Sequence, residues 1–192
     1  MLVFVIPVCI GAAVGLVRGG RIDHVTRLRF RVPLLILVAL VVQASLGHAP
    51  AGARVPLVLV TYAVAGGWTA MNWGGRDRSV RLALAFVVAG WALNLAVMAP
   101  NGAMPVSARA LERLGVRAGY DVENGHLSKH RLSDAGTPLR WLGDTIAVPP
   151  LRAVISVGDI VLAIGIATMV VSAMGVGVTR RRLLAGAAEA SG

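Results

Sequence analysis

The stretch that decides the fold runs from Leu82 to Met98 and reads LALAFVVAGWALNLAVM. It contains no Asp, Glu, Lys or Arg, and its one amide side chain is Asn94. The hydrocarbon core of a bilayer is about 30 Å thick, and a helix of about 20 mostly apolar residues crosses it. Backbone N–H and C=O groups in lipid must bond within their own segment, so this stretch is predicted to be a transmembrane helix.

Four further apolar stretches accompany this one. The five predicted spans are Leu2–Val17, Pro33–Ala49, Val55–Met71, Leu82–Met98 and Ala153–Val178. The composition agrees, because 56% of the residues are apolar and only 15% are charged, against about 25% charged residues in soluble domains. The chain is therefore predicted to be a single membrane domain, residues 1–192, folded as an all-α polytopic bundle of about five transmembrane helices.

Arginines in the connections predict the orientation of these spans, because short loops rich in Lys and Arg stay in the cytoplasm. The basic segments follow the first, third and fifth spans, at residues 18–31, 76–81 and 180–182. This pattern predicts an N-terminus outside and a C-terminus inside. A long extracytoplasmic loop, residues 99–152, then joins spans four and five. The predicted location is the bacterial cytoplasmic (inner) membrane, as a multi-pass protein.

The formal net charge of +10 has two interpretations. A soluble protein this basic would suggest nucleic acid, whereas loop arginines in a membrane protein set orientation and contact anionic lipid. The shortage of charged residues favours membrane lipids as partners and argues against nucleic acid. A stripe of small residues, Gly11, Gly15 and Gly19, permits close approach of a helix. That helix belongs to the same bundle, to another membrane subunit or to a second copy.

Asp159 is the one acidic residue within the predicted spans. It lies about six residues, or about 9 Å, inside the outer end of the fifth span. A carboxylate at that depth costs several kcal/mol unless it is paired or hydrated. Two interpretations stay open: a proton, ion or metal site, or an interfacial residue bonded to a loop arginine such as Arg140 or Arg152.

His126 and His130 are spaced so that a helix would place both on one face, which is a spacing that metal ligands use. Gly125 and the polar neighbours argue against a helix in this stretch, and two histidines among polar residues are more often solvated. A metal site on the outer face is therefore a hypothesis with His126 and His130 as its candidate ligands. The sequence identifies no cofactor.

Nucleophilic catalysis needs Ser or Cys beside a base. Several serines are available in the long loop and beyond it, but no Gly-x-Ser-x-Gly motif and no phosphate-binding glycine loop occurs. The sequence therefore offers serines for a hydrolase or acyltransferase without a motif of either. Within the loop, Ser107–Leu114 is predicted to be a short amphipathic helix that Ser107 caps.

Four polar blocks occur in order in the second half of the chain: Asn101–Val106 (NGAMPV), Lys129-His130, Thr137–Asp144 (TPLRWLGD) and Ser156–Asp159 (SVGD). In these blocks and in the order of its hydrophobic spans, the chain resembles an uncharacterised family of bacterial membrane proteins, the domain-of-unknown-function family DUF5317. The resemblance covers most of the chain, leaves out residues 121–128 and implies no reaction. It singles out four residues that the blocks share: Asn101, His130, Asp144 and Asp159.

Two classes of function stay open. The preferred one is an accessory subunit or interaction module of a membrane complex, bound to other membrane subunits or to itself. The alternative is a membrane-surface enzyme, either a hydrolase or a transferase, or a metal- or ion-binding protein with its site on the outer face. In that alternative Asp144, Asp159 and His130 would act as bases or ligands, and Asn101 as an orienting amide.

Overall fold

The computed structural model describes residues 2–45, 49–116 and 130–176. Within these ranges the chain forms six α-helices and four short strands: α1 Leu2–Val17, α2 Pro33–Ser45, α3 Ala51–Met71, α4 Arg78–Asn101, β1 Met104–Val106, α5 Ala108–Glu112, β2 His130–Leu132, β3 Ile146–Val148, β4 Ala153–Ile155 and α6 Val157–Ala173. Short 3-10 turns lie at Ile22–Arg27, Arg140–Leu142 and Pro149–Leu151.

The predicted all-α bundle of five spans is wrong. Among the described helices only α4 is long and apolar enough to cross a membrane. Within the described residues, α1, α2 and α6 have 16, 13 and 17 residues, where about 20 are needed. Strands β1, β2 and β3 lie within the predicted outer loop, and β4 lies at the start of the predicted fifth span. The predicted orientation depends on five spans, so it has no basis once the five-span prediction is wrong.

The physical reason for this error is that apolar composition reports burial and does not report helix length. Residues 153–155 lie at the start of the predicted fifth span, but they form strand β4, which pairs antiparallel with β3. At the other end of the same stretch, α6 ends at Ala173. An apolar run therefore includes strand and turn residues that add nothing to the length of the helix.

Helix α6 packs against both α1 and α4, and glycines make both contacts close. A Cβ added at Gly11 of α1 would lie 2.7 Å from the carbonyl oxygen of Ala167, and a Cβ added at Gly90 of α4 would lie 2.6 Å from the backbone nitrogen of Leu162. Side chains do not fit at such distances, so the helix backbones touch at these positions. Gly11 and Gly15 of the small-residue stripe thus serve packing within the chain.

The C-terminal end of α3 holds the connection that precedes α2. Trp68 Nε1 donates to the carbonyl oxygen of Val32 at 3.1 Å. The buried Asn72 side chain accepts from the N–H of Arg31 at 2.7 Å and donates to the Arg31 carbonyl at 3.2 Å. Buried amides need such partners, and here backbone groups supply them.

Residues 102–116 and 130–155 form a small folded unit at the C-terminal end of α4, called the cap below. Strand β1 pairs in parallel with β2, and β3 pairs with β4 through the 3-10 turn Pro149–Leu151. Val97 of α4, Met104 of β1 and Leu142 of the 3-10 turn make a buried apolar cluster that seats the cap on α4. The predicted short helix in the loop is confirmed as α5, although the Ser107 side chain makes no capping hydrogen bond.

Candidate functional site

The centre of the candidate site is a contact between His130 and Asp144 across strand β1. Met104 of β1 pairs with His130 on one edge of the strand, and Val106 bridges to Asp144 on the other edge. Two backbone hydrogen bonds of 2.8 and 2.9 Å attach Asp144 to β1 and to the residue after it. His130 Nε2 then donates to Asp144 Oδ2 across 3.0 Å. The fold thus joins two residues that are distant in sequence.

Both side chains of this pair are shielded from water, with 7% of the Asp144 side chain and 27% of the His130 side chain exposed. Burial raises the pKa of Asp144 above its usual value of 3.8, because a carboxylate is poorly solvated inside the cap. The hydrogen bond and the charge of His130 lower the pKa of Asp144, and the charge of Asp159 raises it. The contact with His130 therefore offsets part of the cost of burying the Asp144 carboxylate.

Three buried polar atoms of the candidate residues have no hydrogen-bond partner in the described part of the chain: Asn101 Oδ1, His130 Nδ1 and Asp144 Oδ1. Buried polar atoms are normally paired, so each exception calls for an explanation such as a role in binding or catalysis. The two oxygens can accept hydrogen bonds, and so can Nδ1 when Nε2 carries the ring proton. Chemically, the pair can accept a hydrogen bond or take up a proton.

Asn101 attaches the cap to α4. It is the last residue of α4, and Gly102 ends the helix with a φ of 68°, in the left-handed region that favours glycine. Asn101 Nδ2 donates to the carbonyl oxygens of Val97 at 2.7 Å and Pro138 at 2.9 Å. Arg131 donates to the Asn101 carbonyl at 3.3 Å. Asn101 therefore ties the end of α4 to two segments of the cap.

Asp159 lies in the first turn of α6, and the prediction that it lies about six residues inside the helix is wrong. The Ser156 Oγ accepts from the N–H of Asp159 at 3.1 Å, and Asp159 Oδ2 accepts from the N–H of Ser156 at 2.9 Å. This reciprocal capping box starts the helix at Val157. Asn94 Nδ2 donates to the other carboxylate oxygen at 3.0 Å. In the described part of the chain no arginine pairs with Asp159.

The capping box gives a direct stability prediction. Ser156 is fully buried, and its hydroxyl also donates to Asn94 Oδ1 at 2.9 Å, so Ser156→Ala should lower the free energy of unfolding by about 2 kcal/mol. Ser107→Ala is the matched control, because Ser107 holds the same position before α5 without a capping bond. Thermal unfolding in mild detergent measures both. Equal losses would refute the capping role of Ser156.

The metal hypothesis gains no support from the described residues, which contain no group of three or more His, Cys, Asp or Glu side chains that could hold an ion. His126 lies outside the described residues, so its pairing with His130 stays a prediction. His130 itself gives Nε2 to Asp144. In the described ranges the structure thus joins His130 with Asp144, and it holds Asn101 and Asp159 in bonding networks of their own.

A groove of about 510 Å³ lies on the cap and was not predicted. Asp144 is buried, and the next residue, Thr145, lines the groove. Neither His130 nor Asp144 lines the groove.

Residues 25–171 match the family of unknown function DUF5317. This range contains α2 to α5, most of α6 and all four candidate residues. The chain belongs to this family. Helix α1 of this DUF5317 protein lies before the matched range. No curated protein and no solved structure matches the chain.

The sequence of this DUF5317 chain did not predict the bond between Asn94 and Ser156, although Asn94 is an amide within an apolar stretch and Ser156 begins a polar block. A usable signal was present, because Ser156-Val-Gly-Asp159 has the spacing of a capping box, with an acidic residue three positions after the serine. That spacing predicts a helix start at Val157. It would have placed Asp159 at the helix end.

Proposed function

We propose that this DUF5317 protein is an integral membrane protein that serves as an accessory subunit or interaction module of a membrane complex. In this proposal α4 crosses the bilayer, and the cap lies at the membrane surface. The observation that carries the proposal is the exposed apolar surface of α4. Large exposed apolar surfaces are rare on soluble monomers and mark contact with lipid or protein.

The burial of α4 separates this proposal from two other interpretations of an apolar helix. A helix at the core of a soluble protein is mostly buried, whereas 28% of the apolar window of α4 is buried within the chain. A signal sequence lies near the N-terminus, whereas α4 begins at Arg78. Large apolar side chains are also exposed on α1 and α2: Val5, Val8, Ile10, Val14 and Leu16 on α1, and Leu34, Leu37, Val38 and Val41 on α2.

Residues at the two ends of α4 also fit a membrane setting. Trp73, which precedes the helix, and Trp141, in the cap near its C-terminal end, are 41% and 64% exposed. Tryptophan is enriched at both membrane–water interfaces. A helix of 24 residues is about 36 Å long, which is close to the thickness of the hydrocarbon core. Arg76 and Arg78 stand at the opposite end from the cap, where they can contact lipid phosphates.

A binding role fits the cap better than a catalytic one. The two serines that line the groove are Ser107 and Ser133, and neither residue of the shielded His130–Asp144 pair lines it. Nucleophilic catalysis needs a base within hydrogen-bond reach of the nucleophile. The enzyme and the metal- or ion-binding protein therefore remain alternatives, supported by the unpartnered Nδ1 of His130 and Oδ1 of Asp144.

Spin labels test the membrane placement of α4. In a Cys9→Ser background, the label is attached at Val88→Cys, in the middle of α4 and 37% exposed, or at Ala135→Cys, on the exposed cap. In liposomes the Val88 label should collide with oxygen, which concentrates in lipid, and the Ala135 label with a water-soluble nickel chelate. Equal access of the chelate to both labels would refute the membrane placement.

The same variants bear on the accessory role. If neither reagent reaches the label at Val88, protein covers this face of α4. The face would then contact a partner and not lipid. Native mass spectrometry of the tagged chain, extracted from its host in mild detergent, then tests for that partner. A stoichiometric second chain is expected for a stable subunit. The mass of this chain alone would contradict a stable complex.

A further inference from the structure

The groove on the cap is built from three segments that the fold brings together. Its lining comes from the start of α5, from the residues that follow β2 and from the segment around the 3-10 turn Arg140–Leu142: Ser107, Arg109, Ser133, Asp134, Arg140, Trp141 and Thr145. Its volume of about 510 Å³ is in the range of small-molecule sites. The lining contains guanidinium, hydroxyl and aromatic groups.

Positive charge dominates this groove. Arg109 and Arg140 are both exposed, and within the described residues neither side chain forms an ion pair or a hydrogen bond. The one carboxylate in the lining, Asp134, already accepts a hydrogen bond from Thr137 Oγ1 at 2.8 Å. That bond lowers the pKa of Asp134 and holds its negative charge in the turn. The groove therefore carries two positive charges against one negative charge.

The remaining polar groups in the groove are hydroxyls. Ser107, Ser133 and Thr145 line it, and the Ser107 hydroxyl is not used to cap α5. Guanidinium groups bind phosphate oxygens through two parallel charged hydrogen bonds, and hydroxyls add neutral ones. This set of donors suits a phosphate group better than it suits a cation.

The surroundings of the groove indicate where such a phosphate comes from. Trp141 lines the groove and is largely exposed, and the neighbouring Leu139 is exposed as well. An exposed tryptophan beside an apolar side chain is typical of the membrane–water interface, where lipid phosphates lie. The apolar cluster of Val97 and Leu142 fixes this part of the cap at the end of α4.

We propose that the groove binds the phosphate group of an anionic phospholipid headgroup, with Arg109 and Arg140 as its ligands. The proposal rests on the proposed function, because a membrane placement brings the cap to the lipid surface. The same donors would also bind free phosphate, and the lipid headgroup is the source to which we commit. A bound lipid would anchor the cap to the bilayer at a defined position.

Native mass spectrometry of the full chain in mild detergent tests this site. Phosphatidylglycerol or phosphatidylcholine is added in increasing amounts, and the bound lipid is counted. Phosphatidylglycerol should bind more tightly than phosphatidylcholine. The double variant Arg109→Gln/Arg140→Gln should weaken phosphatidylglycerol binding by at least about tenfold, because two charged hydrogen-bonding groups are lost. Arg113→Gln, an exposed arginine in the same segment but outside the groove, should change binding less than about twofold.

Each result has a defined meaning. Unchanged phosphatidylglycerol binding in a double variant that keeps the wild-type unfolding temperature overturns the site. Equal binding of the two lipids does so as well. Displacement of the lipid by inorganic phosphate at a similar concentration overturns the lipid assignment in favour of free phosphate. Binding in detergent does not require α4 to cross a bilayer, so the Val88 spin label reports failure of the membrane proposal separately.

Discussion

Gly90→Ala should lower the free energy of unfolding by about 3 kcal/mol, because the added methyl group meets backbone that cannot move aside. Its Cβ would lie 2.6 Å from the carbonyl oxygen of Gly158 and 2.6 Å from the backbone nitrogen of Leu162. The helices α4 and α6 would have to separate, and the largest helix contact in the described chain would loosen with them. A loss of this size lowers the unfolding temperature by roughly 6–12 °C in a chain of this length.

Gly66→Ala provides the matched control. Gly66 lies inside α3, and an added Cβ there would meet nothing within 4 Å. Alanine favours a helix over glycine by up to about 1 kcal/mol, so this variant should unfold at the same temperature or slightly higher. Thermal unfolding followed by tryptophan fluorescence in mild detergent compares the two. If both variants behave alike, the close contact between α4 and α6 at Gly90 is refuted.

His130→Ala should lower the stability at neutral pH by about 3 kcal/mol, because it leaves the buried carboxylate of Asp144 without its partner. The hydrogen bond of 3.0 Å between His130 Nε2 and Asp144 Oδ2 would be lost. Adding Asp144→Asn to His130→Ala removes the unpaired charge, so the double variant should recover part of the loss. Additive losses in the two single variants and the double variant would contradict a direct interaction.

The pH dependence of the same pair has a defined sign. The pKa of Asp144 is raised above 3.8 in the folded chain, mainly by burial, so folding favours the protonated carboxyl. This contribution to stability is fully present below pH 3.8 and is lost as the pH rises through the raised pKa. His130 lowers the pKa of Asp144, so His130→Ala should raise it further.

The loss of stability that His130→Ala causes relative to the wild type should therefore be small in acid and should grow toward neutral pH. Unfolding temperatures measured across this range test the expectation. In an Asp144→Asn background the pH-dependent part of the deficit should disappear, because the titrating group is gone. A deficit that stays constant with pH would mean that His130 acts through packing alone.

The positions of the large helices could be predicted from the sequence, and so could the bounds of α1, but the bounds of the other large helices could not. Apolar runs indicated the positions of α1 to α4 and α6, because each of these helices consists mostly of apolar residues. The apolar run at 153–178 predicted a helix start that is too early, because Ser156 and Asp159 start the helix only at Val157. Composition does not distinguish strand β4 from the first turn of a helix, because both are apolar.

The contact of the candidate site could be predicted only in part. The polar blocks identified His130 and Asp144, but no local pattern shows that β1 would pair in parallel with a strand more than 20 residues away. Strands of three residues carry too little periodicity to be recognised. The sequence suggested Arg140 only as a possible partner of Asp159 and did not single out Arg109, because their joint position in one groove depends on the tertiary fold.

The close packing of α6 on both α1 and α4 has a consequence for biosynthesis. A ribosome makes α1 and α4 first, and α6 is the last of these three helices to emerge. Until then the glycine surfaces at Gly11 and Gly90 have no partner, although both helices are already synthesised. A chain that ends before Val157 lacks α6 altogether, so it should aggregate more readily than the full chain.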